Sequence, residues 1–277
     1  MTKKRKKLPR SPRKPIRRRA APAAAPQAER VVEIPLTVAD VQPALATLRD
    51  TNRPVENRLE ALQSIQAASF AVADFDSIRP DYIAALRQVA EDHNHELRQR
   101  ALGILAREHD GFAQEVLLEG LRDPNKALVA PEKALQLLSY DPHAAVYPIA
   151  REMVKTASDV STRREALRVL AGDPSSAPVL EELLSDKNEP TELRRMSASA
   201  LHALNPDRLQ RWANRAVLDT NEDDDLLATG LTALTQFGDA EAIVRDTRLR
   251  NRMNQLQQKG PAKIKRIAKR FVEKYDV

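Results

Sequence analysis

From about residue 40 onward, the apolar positions of the chain come in short bursts with helical spacing. "ALQSI" at 61, "ALGIL" at 101, "ALQLL" at 134, "ALRVL" at 166, "SASAL" at 197 and "GLTAL" at 230 each open on a small residue and carry small or apolar residues at offsets +1, +3 and +4. That is the stripe of an amphipathic helix, not the alternation of a strand. The opening residues Ala61, Ala101, Ala134, Ala166, Ser197 and Gly230 lie 40, 33, 32, 31 and 33 apart, a repeat whose second helix is predicted to be buried. Each burst follows another apolar stretch, such as "PALATLRD" or "VLEELLSD", that runs into an Asp-x-Asn/Ser triplet at Asp50, Asp92, Asp123, Asp159, Asp186 or Asp219. A second kind of turn separates the units: "HDG" at 109, "DPH" at 141, "GDP" at 172, "NPD" at 205 and "GDA" at 238. Asp and Asn there accept orphan amides of a helix start, and Pro is tolerated in its first turn. The predicted order is helix A, Asp-x-Asn turn, helix B, Asp/Pro turn, six times over.

The start of helix B carries a further signature. "LRQRALGIL" (97–105), "TRREALRVL" (162–170), "LRRMSASAL" (193–201) and, less well, "NRLEALQSI" (57–65) resemble the Val-Arg-x-x-Ala segment of HEAT repeats. Arg58, Arg98, Arg163 and Arg194 match the family's arginine, whereas Pro131 and Leu227 replace it in the third and sixth units. The resemblance covers roughly residues 40–240, and the short period is similar to that of the bacterial HEAT-like repeats first associated with phycobilisome bilin lyases. It implies a right-handed α-solenoid in which turn Asp and helix-B Arg bond between neighbouring repeats. It also implies a concave surface lined by the B helices, where partners sit. On the B helices the side opposite the apolar stripe carries Arg100, Arg107, Lys133, Gln136, Tyr140 and Arg168, the candidate partner-binding residues.

Composition supports an all-α class, with 42% hydrophobic but only 4% aromatic residues and only 7 Gly in 277. There is no Cys, so disulfides, thiolate nucleophiles and Cys-based zinc sites are excluded. No run reaches the length of apolar residues a membrane span needs, and no hydrophobic region follows the first arginines as in a secretory signal. The expectation is a soluble monomer of the cytoplasm, or of the nucleus if the source is eukaryotic.

The net charge of +6 hides a strong division. Residues 1–19 hold 11 Lys+Arg and no acid, residues 245–277 hold 11 against 3 acids, and the remainder holds 23 against 36. The first stretch, followed by "AAPAAAPQAE", combines dense like charge with Pro and almost nothing to bury, and reads as a disordered tail. Lys3, Lys4, Arg5, Lys6, Lys7, Arg17, Arg18 and Arg19 are its candidate polyanion contacts. By contrast, "GPAKIKRIAKRFVEKY" reads as a helix, with Ile264, Ile267, Ala268, Phe271, Val272 and Tyr275 on one face. It is expected to seal the last repeat and to present Lys263, Lys265, Arg266, Lys269, Arg270 and Lys274 outward, beside Arg245, Arg248 and Arg252. Of these, Lys265, Arg266, Lys269 and Arg270 are the candidate phosphate contacts.

Other candidate chemistry reduces to simpler readings. His93 and His95 stand among Glu91, Asp92 and Glu96, but His93 fills the variable place of an Asp-x-Asn turn and no third His is near. Asp223, Asp224 and Asp225 lack the Gly and distal Glu of a calcium loop, and the dipole of the helix they open accounts for them. Trp212, in "RLQRWANR", reads as core. No GxGxxG, P-loop, GxSxG or HExxH occurs, and neither a cofactor nor a metal is expected.

The sequence therefore predicts a basic tail and linker over 1–36, six HEAT-like pairs over 37–238 and a basic helical cap over 239–277. The expected function is a non-catalytic scaffold or adaptor for a protein partner. Alternatives are a nucleic-acid or ribosome binder that grips through both basic ends, and a bilin-lyase-like subunit.

Overall fold

The structure, a computed structural model, describes residues 37–141 and 144–276. The tail contacts expected of Lys3 to Lys7 and of Arg17 to Arg19 lie outside these residues. The first six helical pairs are α1 (Val38–Arg49) with α2 (Val55–Ala71), α3 (Arg79–Val89) with α4 (His95–Arg107), α5 (Gly111–Arg122) with α6 (Pro131–Leu138), α7 (Val146–Thr156) with α8 (Val160–Leu170), α9 (Ala177–Ser185) with α10 (Thr191–Leu204), and α11 (Pro206–Leu218) with α12 (Asp224–Phe237). Then come a short α13 (Ala240–Arg245), α14 (Thr247–Lys259) and α15 (Ala262–Tyr275). Among the described residues there is no strand, and no helix is long and apolar enough to cross a membrane.

Each second helix packs on the next one, from α2 through α4, α6, α8, α10 and α12 to α15. First helices stack in the same way, with α1 against α3, α5 against α7, and α11 against both α9 and α14. The result is an all-α solenoid, because no pair can bury its apolar stripe without a neighbour. The expected cap has the form of a seventh pair: α14 takes the place of a first helix and α15 that of a second.

All six small residues that open the B-helix bursts are buried. So are the residues at offsets +1, +3 and +4 from Ala101, Ala134, Ala166, Ser197 and Gly230. Gly230 shows why small side chains recur there. A Cβ added to it stands 3.4 Å from the Ala213 carbonyl oxygen and 3.4 Å from Val217 Cγ2, so α11 crosses α12 with little room to spare.

The Asp-x-Asn triplets are Asx turns. The carboxylates of Asp50, Asp92, Asp123, Asp186 and Asp219 each accept the amide two residues on, at 2.8–3.0 Å. Asp159 instead caps α8 through the Thr162 amide, at 2.6 Å. Asn94, Asp110, Asn205, Asp223, Asp239 and Asp246 cap the helices that follow them. Repeated Asp and Asn in this chain thus satisfy backbone donors, and the triad 223–225 belongs to the start of α12. His93 and His95 are exposed, and no cluster of three or more His, Asp or Glu able to hold a metal ion is found among the described residues.

Candidate functional site

Two sets of cations must be told apart before any surface can be assigned a role. The first is consumed in the seams between pairs. Arg58 donates to the Leu48 carbonyl at 3.0 Å and to Asp92 of the next unit at 2.6 Å. Arg163 likewise joins the Val154 carbonyl and Glu189. Arg194 donates to the Leu184 carbonyl and holds Glu222 through two 2.9 Å bonds, with both side chains only 4% exposed. Such bidentate pairing satisfies the guanidinium fork and so makes its burial tolerable.

The expected partnership of turn Asp with helix-B Arg therefore holds for Arg58 only. In two later units the acid is Glu189 or Glu222, three residues after the triplet Asp, which is occupied by its own Asx turn. "DKNE" and "DTNE" share an acid at the fourth letter, which the Asx turn of the first leaves free. Arg98 reaches no acid of the third unit: it donates to the Asp92 carbonyl, and its buried Nε has no partner. The third triplet continues as "DPNK", placing a cation where the acid stands elsewhere.

A second seam on the first helices was not visible in the periodicity. Arg87 forks onto Asp110, Gln114 donates to Asp141, Arg151 pairs with Asp173, and Arg208 and Arg215 converge on Glu181. Burial works against ionising Asp173, but Ser176, Ser175 and Arg151 outweigh it and hold the carboxyl below its ordinary value. Glu181 is likewise lowered: burial opposes ionisation, and the two arginines prevail.

The remaining cations line the surface of the second helices. A groove of about 670 Å³ crosses α2, α4 and α6. Of the candidate partner-binding residues, the structure brings Arg100, Arg107, Lys133 and Tyr140 into it. Arg100 pairs with Glu96 at 2.7 Å, and Lys133 donates to Gln136 at 2.9 Å. Arg107 is exposed and makes no hydrogen bond or ion pair among the described residues. Gln136 stands beside Lys133 without lining the groove, and Arg168 sits apart on α8, paired with Glu165.

Sequence reasoning missed the groove's amides, Gln63, Gln66 and Gln99. Gln63 follows the same +2 rule as Gln136, counted from Ala61. Phe70, 86% exposed, lies on the face of α2 that carries Gln63 and Gln66, at helical spacing. A second groove of about 350 Å³, between α10, α12 and α15, is lined by His202, Thr232, Phe237 and Ile267 among others. The rings of His202 and Phe237 lie 4.4 Å apart there.

At the basic end, Ile264, Ala268, Phe271 and Tyr275 are buried, as the helical spacing predicts, and the Tyr275 hydroxyl donates to the Leu234 carbonyl at 2.7 Å. Not every cation there is left without an internal partner. Lys263 pairs with Asp225, Lys274 donates to the last carbonyls of α12, and Arg252 bonds the Val217 carbonyl at the end of α11. Lys265, Arg266, Lys269 and Arg270 are exposed. Trp212 is buried within α11.

No family model matches the chain, and a search of the curated proteins finds no relative. Among solved structures, human deoxyhypusine hydroxylase in complex with glycerol is similar at 14% identity and a TM-score of 0.37, over 86% of this chain and 96% of that one. The helical pairs and their arginine seams are consistent with HEAT-like repeats. The expectation that the chain is not an enzyme is corrected here: the solved structure found similar is that of an enzyme.

Proposed function

We propose that the chain is a helical-repeat scaffold that holds an extended acidic segment of a protein partner across α2, α4 and α6. The observation that carries this reading is Arg107, an exposed guanidinium with no hydrogen bond or ion pair among the described residues, in a groove with Tyr140, itself 47% exposed. Arg and Tyr are the residue types that dominate binding energy at protein interfaces. Lys133 adds positive charge, Arg100 being offset by Glu96 in the same groove, and Gln63, Gln66 and Gln99 offer donors and acceptors to a partner's backbone. Phe70 supplies apolar area for an anchoring side chain. A groove of about 670 Å³ accommodates a few side chains of such a segment, leaving the rest to follow the helix row.

The test is site-specific photo-crosslinking in the native host from Gln63 and Gln99, with probes on the first helices as controls. The expected outcome is crosslinks to an acidic segment of one protein, abolished by Arg107→Glu, while the melting temperature of that variant matches the parent. Equal crosslinking from the control positions, or crosslinks indifferent to Arg107→Glu, would reject the reading.

A further inference from the structure

The outer face of α15 differs from those of α4, α8 and α13 in how its cations are answered. On each of those helices one cation is answered on its own helix by an acid three or four residues before it: Glu96 with Arg100, Glu165 with Arg168, Glu241 with Arg245. On α15 the same spacing holds like charges, Lys265 with Lys269 and Arg266 with Arg270. Such pairs repel and lower helix stability. Lys269 approaches Glu273 at 3.7 Å; Lys265, Arg266 and Arg270 have no hydrogen bond or ion pair among the described residues. The opposite face is anchored by buried Ile264, Ala268, Phe271 and Tyr275, so the orientation of the four cations is set by packing and not by their own interactions.

We infer that this face binds the phosphate backbone of a nucleic-acid duplex. The choice of occupant follows from what the face lacks. The core of a protein interface is depleted in charged residues and built on apolar anchors. Between Lys265 and Arg270 only charged side chains face outward, and both aromatic rings of the helix are buried. The absence of exposed rings on α15 also removes the stacking platform that single strands use. Four cations within two helical turns, with members of each pair about 6 Å apart along the axis, suit a row of closely spaced phosphates and carry no means of reading bases. This site is separate from the groove over α2, α4 and α6, and it stands or falls independently of the proposed scaffold role.

The experiment compares the full-length chain with Lys265→Gln/Arg266→Gln/Lys269→Gln/Arg270→Gln in the same full-length background, so that residues 1–36 contribute equally to both. Binding of fluorescent RNA and DNA duplexes is measured across a salt series, with polyglutamate and a single strand as further arms. The expected result is a log affinity against log salt slope that flattens by about 0.9 for each phosphate no longer neutralised, on duplexes of any sequence. Helix content should match the parent, melting temperature should equal or slightly exceed it because two repelling pairs are removed, and Lys265→Arg/Lys269→Arg should bind duplex as the parent does. If the fourfold variant fails to fold, the two paired variants Lys265→Gln/Lys269→Gln and Arg266→Gln/Arg270→Gln are each expected to give part of the flattening. An unchanged duplex slope overturns the inference. So does an equal drop on polyglutamate, which would mark the face as one for acidic protein, or a drop confined to the single strand.

Discussion

The seam between the fourth and sixth pairs and the seam between the second and fourth are built from the same repeat, yet they are closed differently. In the later region Arg163 and Arg194 each find a glutamate of the next unit, and first helices add Arg151 with Asp173 and Arg208 with Glu181. In the earlier region Arg98 has no acid to meet, Pro131 stands in the arginine position, and the join rests on first helices through Arg87 with Asp110 and Gln114 with Asp141. The same earlier region carries the larger groove. An arginine here is read by what answers it: a carboxylate from the next pair makes it part of the framework, and solvent leaves it for a partner.

The contrast breaks most sharply at Arg194. Replacing Glu222 by Ala leaves a guanidinium buried without its acid, and equilibrium denaturation should show a loss of about 3–5 kcal/mol, the cost of uncoupling a buried pair. A loss below about 1 kcal/mol would mean that this seam is no more than surface charge.

Acid should weaken the seam at Asp92. Burial disfavours its ionised form, but the Asn94 amide and the Arg58 guanidinium outweigh burial and hold the carboxyl below its ordinary value. A carboxyl depressed in the folded chain contributes stability that is present above its unfolded value of about 3.9 and is lost as pH falls through the folded value. Melting curves of the parent from pH 6 downward should therefore fall more steeply below about pH 4 than those of Asp92→Asn, which lacks that titration. Parallel curves would remove Asp92 from the seam.

The smallest effect tests whether the open seam can be closed. Lys126 occupies the place that Glu189 and Glu222 hold in their units, and it pairs with exposed Glu119. Lys126→Glu gives Arg98 a carboxylate within one turn of the next pair and should raise stability by about 1 kcal/mol, less the small contribution of the surface pair it removes. A drop in the denaturation midpoint would show that the longer "DPNKALVA" turn holds position 126 too far away.

How much of this was legible depended on whether the signal was local. Helix starts, Asx turns and the buried stripe are decided by neighbours within a turn or two, so Asp110, Asn205 and the run from Ala101 to Leu105 could be read directly. The identity of the seam acid could not: Asp186 and Glu189 are equally good carboxylates on paper, and only the Asx turn that occupies the former leaves the latter for Arg163. Gln63 and Phe70 were hidden for a related reason. An exposed residue near the middle and one at the end of a helix gain meaning only when the next pair brings α4 and α6 alongside.

By itself, then, the sequence determined the helices, their period and the face each one buries, because helical spacing and capping are properties of contiguous residues. Tertiary structure alone decided the fate of the cations. Arg58, Arg252, Lys263 and Lys274 are spent on carbonyls and carboxylates about 30–40 residues away in the chain. Arg107, Lys265, Arg266 and Arg270 are left facing solvent. An ion pair is a matter of ångströms in space, and beyond the three- or four-residue spacing within one helix no spacing along the chain encodes that distance.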